Sequence, residues 1–322
     1  MKIALCFIIN YNHVLNKEHI WREWIEPNKD IINVYFYYKE LDKIKSAWIL
    51  DHTIPPKCIH ETSYYHVIPA YLALMNYAFN KDIQNKWFCM LTDSCCPIIS
   101  PKRFRHLFYN HHNNSLFAWK PAWWNPEIHK RGNLAKLPKE LWLGHDPWFT
   151  LTRENFKQVM YFVRTQPAIT NTICNGGLAN ETLFAVIFQL YKELDPNNSK
   201  SHIIRSSTHI TDWSRPNSPT SPHVFKYADD QDIQFINKEL NNNKTAMFIR
   251  KIDPEFPDTV LTRYIYEYNK ELDDALELKE PFQMRYRRYG IVMKQWFNVS
   301  TLLFCAVTLC ACLYNFWIIF IG

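Results

Sequence analysis

The sequence predicts an α/β domain built on a mostly parallel sheet flanked by helices, and three observations carry that expectation. Apolar strand-like runs alternate with helical periodicities through residues 1–257. One of these runs, Trp87–Thr92, leads straight into a polar turn, Asp93–Pro97, at the strand's carboxyl end, where open α/β sheets place ligands. Apolar residues make up 47% of the chain and aromatics 16%, which supports a large core and argues against global disorder.

Taken in order, Lys2–Ile9 reads as a buried strand, His19–Trp24 as a short amphipathic helix and Ile31–Tyr38 as a second strand. The Pro55-Pro56 segment is a loop, and Tyr64–Phe79 has helical periodicity interrupted by Pro69. Trp87–Thr92 is the third strand, Phe104–Tyr109 a helix and Ser115–Trp119 a further strand. Residues 118–147 are irregular and rich in Trp and Pro, and a connection of that length is usually functional. Arg153–Val163 and Glu181–Glu193 are expected as helices, Ile203–Ser206 as a strand and Asp212–Pro222 as a Pro/Ser-rich loop. Asp230–Leu240 is helical, Ala246–Ile249 is a strand ending in Arg250-Lys251, and Asp258–Leu278 reads as one long helix.

The formal charge of +6 is mild and scattered. It suits an anionic small molecule or a membrane surface, and it argues against nucleic acid as a partner. The nine cysteines form neither a disulfide ladder nor a paired metal site, so reduced, buried thiols are expected. The opening MKIALCFIINYN has too short an apolar run for a signal peptide and reads as a core strand. From Val299 to Gly322 no residue is charged, and Arg285, Arg287, Arg288 and Lys294 stand just before that run, with Trp296 and Trp317 near its ends. A carboxyl-terminal membrane anchor over 297–322 is therefore expected. A helical stalk over 258–296 would lead to it, and residues 1–257 would form a cytosolic domain.

The segment Asn175–Phe188, NGGLANETLFAVIF, places two glycines before a cap-competent Asn180 and an apolar helical run. Glu181 would then lie on the first helical turn, where amide donors hold a carboxylate ionised, the state a proton acceptor needs. A helix-start Glu that only complements the macrodipole fits the same spacing.

Several blocks together resemble the core-2/I-branching family of glycosyltransferases, with its β-1,6-N-acetylglucosaminyl-, peptide O-xylosyl- and plant glucuronosyltransferase-like relatives. KIALCFII with INVYFYY is similar to the family's first two strands, and LTDSCCPI (91–98) to its strand-end motif. LGHDPWFTLTRE (143–154) resembles its aromatic-pair segment, and ANETLF (179–184) the motif that carries its catalytic base. THITDWS (208–214), SPHVF (221–225) and MFIRKIDPE (247–255) resemble the later blocks, so the likeness spans roughly residues 2–256. In this chain Asn180 stands where the family usually has Asp, Thr182 where a His often stands and Asp93 where Glu is common.

The resemblance implies a GT-A-like, Rossmann-like fold, a UDP-sugar donor carrying GlcNAc or xylose, inversion at the anomeric carbon and no metal or other cofactor. It implies Glu181 as general base, with a hydroxyl of a glycan or glycoprotein as acceptor. Without a metal, fixed cations must face the departing diphosphate. Lys251 is the leading candidate and Arg250 the second, because neighbours on a strand face opposite ways. A solvated basic pair would read the same. His223 and Asp93 are the other donor-side candidates, against a structural loop histidine and a turn-forming aspartate. Trp213, Asp212 and Glu127 are candidates for the acceptor; Trp123, Trp124 and Trp148 share Glu127's long loop, with Trp148 expected to pack beneath the site. Trp213 could equally plug a core. Asp230-Gln231-Asp232 matches a metal-binding D-x-D by letter but reads as the acidic start of a helix.

Two other classes fit parts of the sequence. Cys95-Cys96 with a histidine would suit a thiol hydrolase, and a degenerate transferase scaffold would suit a membrane-tethered glycan-binding protein.

Overall fold

A computed structural model describes residues 1–9, 12–218 and 220–277. The stalk expected over 258–296 is described only as far as 277, and the expected anchor over 297–322 lies outside the described residues. Among the described residues no helix is long and apolar enough to cross a membrane.

In chain order the first half contains β1 (Lys2–Ile8), α1 (Glu18–Ile25), β2 (Ile32–Tyr37), α2 (Ala47–Asp51), α3 (Ile68–Lys81), β3 (Asn85–Thr92), β4 (Cys96–Pro97), α4 (Pro101–His111), β5 (Ser115–Leu116), β6 (Trp119–Pro121), β7 (Leu143–His145) and β8 (Thr150–Thr152). There follow α5 (Arg153–Thr165), α6 (Pro167–Cys174), α7 (Leu183–Leu190), β9 (Ile203–Ile204), β10 (His209–Thr211), α8 (Asp230–Asn242), β11 (Phe248–Arg250), α9 (Asp258–Tyr266) and α10 (Lys270–Asp274).

The main sheet has the order β2-β1-β3-β8-β5-β9. β1 pairs in parallel with β2 and β3, and its residues Ile3–Phe7 are fully buried, as expected of a central parallel strand covered on both faces. β8 then runs antiparallel to β3 and to β5, and β9 returns parallel to β5. The expected mostly parallel sheet is thus a mixed one. After β3 the chain passes through α4 to β5, which runs in the same direction as β3; only then does it make the long 117–149 excursion, from which β8 enters between them antiparallel to both. The direction of β8 depends on that excursion, which no local periodicity encodes.

A second, three-stranded sheet of order β10-β11-β4 abuts the end of β3, and β6 pairs with β7 in a two-stranded ladder. The turn after β3 is braced from several sides. Ile252 donates its amide to Ser94 O at 2.8 Å, Asn16 to Asp93 O at 2.9 Å, and the Trp21 indole to Cys95 O at 3.0 Å.

Between the sheet and α3, α5 and α7 lies an aromatic and aliphatic core that includes Phe88, Phe149, Phe156 and Phe184. Residues Leu183–Phe188 of α7 are all buried, which is why that helix is apolar on every face. Two helical expectations are corrected. Pro69 does not interrupt α3 but stands in its first turn, where its missing N–H is no loss. The long helix expected from Asp258 breaks into α9 and α10 at residues 267–269, where the Glu267 and Tyr268 amides both turn back to Arg263 O.

Cys6, Cys89, Cys95 and Cys96 are free and buried, and burial pushes all four thiols up, Cys89 to about 12. A thiol held neutral is a poor nucleophile, which disfavours the thiol-hydrolase alternative. Iodoacetamide at mildly alkaline pH is expected to leave these four unmodified in the native protein and to label them after denaturation. Peptide mass mapping reads the difference, and native labelling at Cys95 would contradict it.

Candidate active site

A cavity of about 690 Å³ opens at the carboxyl ends of β1 and β3, where Ile8 and Thr92 form its floor. Glu181, Asn180, Arg250 and Lys251 all line it. Tyr64, Trp123 and Trp213 are at its mouth.

Glu181 closes a single tight turn, Ala179–Glu181, and the helix proper begins only at Leu183. The expected cap at Asn180 is not formed; Asn180 is buried and its Oδ1 has no partner among the described residues. Glu181 is accordingly not held ionised by helix amides. Burial raises its carboxyl above the ordinary value, Arg131 opposes that shift, and the carboxylate of Asp146 adds to it. Arg131 Nη1 donates to Glu181 Oε2 at 3.1 Å.

Two loops pressed together set that contact. Arg131 bridges to Gly177, and the Gly132 amide donates to Gly177 O at 2.9 Å. A Cβ on Gly176 would lie 2.3 Å from Asn133 N and 2.7 Å from Gly132 C, so backbone meets backbone with no room for a methyl. Gly176→Ala must push the loops apart, and overpacking of this kind costs about 1–3 kcal/mol. The variant is expected to melt several degrees lower and to lose the Arg131–Glu181 contact. Thermal melts and an NMR probe of the Arg131 guanidinium would detect both.

Also lining the cavity, β11 ends at Arg250, and Lys251 follows through a cis peptide. Both side chains line the cavity, against the expectation that one would turn away. The Arg250 guanidinium carbon lies 3.2 Å from the centre of the Trp148 ring. Arg250 is 3% exposed, and its Nε and Nη1 have no partner among the described residues. Lys251 Nζ donates to Ser221 Oγ at 2.9 Å. Burial lowers the proton affinity of both cations, and Arg250 lowers that of Lys251 further. An arginine does not deprotonate, so its unpaired, buried N–H groups remain charged donors facing the cavity.

The other sequence candidates are placed as follows. Asp93 is buried and sits behind the cation pair, where its charge favours their ionised forms; it is not among the residues lining the cavity. Asp212 is fully buried, with Oδ1 accepting from Ser214 and Oδ2 from Arg215 at 2.8 Å. Arg215 also reaches Asp232 Oδ1 at 2.8 Å, the same oxygen that meets His223 Nε2 at 2.8 Å. Asp212 and His223 thus tie down the 212–223 loop, and that loop carries Trp213, 52% exposed, to the cavity mouth rather than into a core. Asp230-Gln231-Asp232 forms the first turn of α8, capped by Asp229. Glu127 is exposed and does not line the cavity. Trp124 and Trp148 do, each with a buried indole N–H lacking a partner among the described residues.

Arg131, Asp146 and Tyr71 line the site without having been singled out from sequence. Arg131-Gly132-Asn133 carries a glycine with φ +56° in an otherwise Trp- and Pro-rich stretch, the one local signal for a tight approach there. Among the described residues no group of three or more His, Cys, Asp or Glu side chains is placed to hold a metal ion.

The Core-2/I-Branching enzyme family model matches residues 35–238, a span that includes Arg131, Asp146, Glu181 and Trp213 and ends before Arg250 and Lys251. No curated protein matches the chain's sequence. With well over half of its length matched, the chain belongs to the Core-2/I-Branching enzyme family and is, by that membership, a glycosyltransferase.

Proposed function

We propose that the protein is an inverting, metal-independent transferase with a GT-A-like fold, which moves GlcNAc or xylose from a UDP-sugar to a hydroxyl of a glycan or glycoprotein. One observation carries this reading: a carboxylate, Glu181, and a buried cation with unpaired donors, Arg250, share one cavity. In the proposed reaction Glu181 accepts the proton of the acceptor hydroxyl as that oxygen attacks the anomeric carbon. The bond from that carbon to the diphosphate oxygen breaks on the opposite face, and its electron pair leaves with the nucleotide. Arg250 and Lys251 stabilise the charge that develops there. Trp213 offers a flat face to a sugar ring. The proton affinity of Glu181, raised by burial, strengthens it as a base.

The test is a panel of UDP-sugars offered with glycan acceptors, read by product mass and anomeric configuration, in the presence and absence of EDTA. Inverted product formed in EDTA supports the reading, and a retained configuration or a metal requirement overturns it. UDP binding without transfer to any acceptor would favour the glycan-binding alternative. We further propose that residues 297–322 anchor the protein with residues 1–257 on the cytosolic side. Protease protection of vesicle-bound protein tests this, and protected residues 1–257 would reverse the orientation.

A further inference from the structure

A second chamber of about 300 Å³ adjoins the main cavity, and Lys120, Trp123 and Asp146 line both. Its remaining wall includes Trp119 and Arg205. The β6–β7 ladder builds it. Lys120 is in register with Gly144, and a Cβ on Gly144 would lie 2.5 Å from the Trp123 ring, so the bare glycine lets that indole fold over the ladder.

Each cation in this chamber lies over an indole, and both residues are exposed. Lys120 Nζ stands 4.6 Å from the centre of the Trp123 ring, and the Arg205 guanidinium carbon 4.7 Å from that of Trp119. Arg205 Nε donates to Trp119 O at 2.8 Å, which orients the guanidinium, and among the described residues its two terminal nitrogens have no acceptor. Asp146 is the acid of this chamber, and both Lys120 and Arg250 of the main cavity favour its ionised form. Arg205 pairs with no carboxylate among the described residues. The chamber therefore sets two cations against one carboxylate in an aromatic-walled recess that opens toward Glu181's cavity.

We propose that this chamber is an acceptor subsite for a saccharide bearing an oxyanion, a carboxylate or a sulfate, which Arg205 engages as a fork while the sugar ring rests against the exposed Trp123. The inference rests on the transferase reading and adds the substrate class. An aromatic wall beside the cations favours a charged sugar over an acidic peptide, because Trp123 is 48% exposed and can meet a sugar ring.

The full chain is titrated with methyl β-glucuronide, with a sulfated methyl β-galactoside and with neutral methyl β-galactoside, followed by saturation-transfer NMR, with UDP measured in parallel. At least one charged sugar is expected to bind about tenfold tighter than the neutral one, with the advantage shrinking in high salt. Arg205→Met is expected to erase that advantage and Arg205→Lys to keep part of it, both with UDP binding unchanged. Which charged sugar binds tells carboxylate from sulfate. Equal binding of all three sugars, or a preference that survives Arg205→Met, overturns the proposal. So does Arg205-dependent binding of an acidic, serine-containing peptide in place of the sugars. Absence of UDP binding by the wild-type chain would instead count against the transferase reading itself.

Discussion

Glu181→Gln is expected to lower turnover by about 10²–10⁴-fold while leaving UDP affinity unchanged, because the amide keeps the shape and hydrogen-bonding oxygen of the base but accepts no proton. The same change is expected to leave the melting temperature at neutral pH unaltered or raised. Burial lifts the folded-state proton affinity of Glu181 above that of the unfolded chain. The folded protein thus favours the protonated acid; this contribution is present in full at low pH and is lost as pH rises through the folded-state value. A permanently neutral side chain avoids that loss, and Gln can still accept from Arg131. In the wild type the acid limb of the turnover profile should be shifted upward from the ordinary glutamate value. Arg131 holds the value down and Asp146 pushes it up, so Arg131→Met should move the limb to higher pH and Asp146→Asn to lower pH. A Gln variant that turns over like the wild type would remove Glu181 from the mechanism.

Arg250→Met is expected to weaken UDP binding by about 10²-fold, or about 2.7 kcal/mol. Two unpaired donors on a desolvated cation give charge-assisted hydrogen bonds, each worth about 1.5–3 kcal/mol. Lys251→Met should cost less, about tenfold, since that ammonium is only partly buried and already holds Ser221. Arg250→Lys should not restore affinity, because an ammonium does not lie flat on Trp148 at 3.2 Å or present a fork. Without nucleotide, the Met variant should be at least as stable as the wild type, because it removes a buried charge with unpaired donors. Calorimetric titration with UDP and a thermal melt measure the two effects. Nucleotide binding that is indifferent to Arg250→Met would remove the diphosphate from this wall of the cavity.

The parts of this molecule legible in sequence are those whose signals are local. β1 and β3 are apolar because both faces are covered, and a polar turn at the end of β3 marks the sheet edge beneath the cavity. Glu181 and the Arg250-Lys251 pair stood out by their neighbours in the chain. The antiparallel entry of β8 and the pairing of Arg131 with Glu181 depend on how the 117–149 excursion folds back, and neither leaves a trace in spacing. Asp212 and His223 carry chemistry-bearing side chains, yet burial and Arg215 or Asp232 occupy them. Their residue types could not reveal that, because the partners are assembled by a loop and a helix start rather than by a motif.

The Arg250–Trp148 stack joins the three-stranded sheet, which ends at Arg250, to the segment that leads into β8 of the six-stranded one. Nucleotide captured at that junction would act as a clasp between two separately hydrogen-bonded pieces. Occupancy and resistance to heat are then linked: at a ligand concentration a hundred times Kd the gain is about 2.7 kcal/mol. A molecule built this way is most fragile while idle and most durable at work.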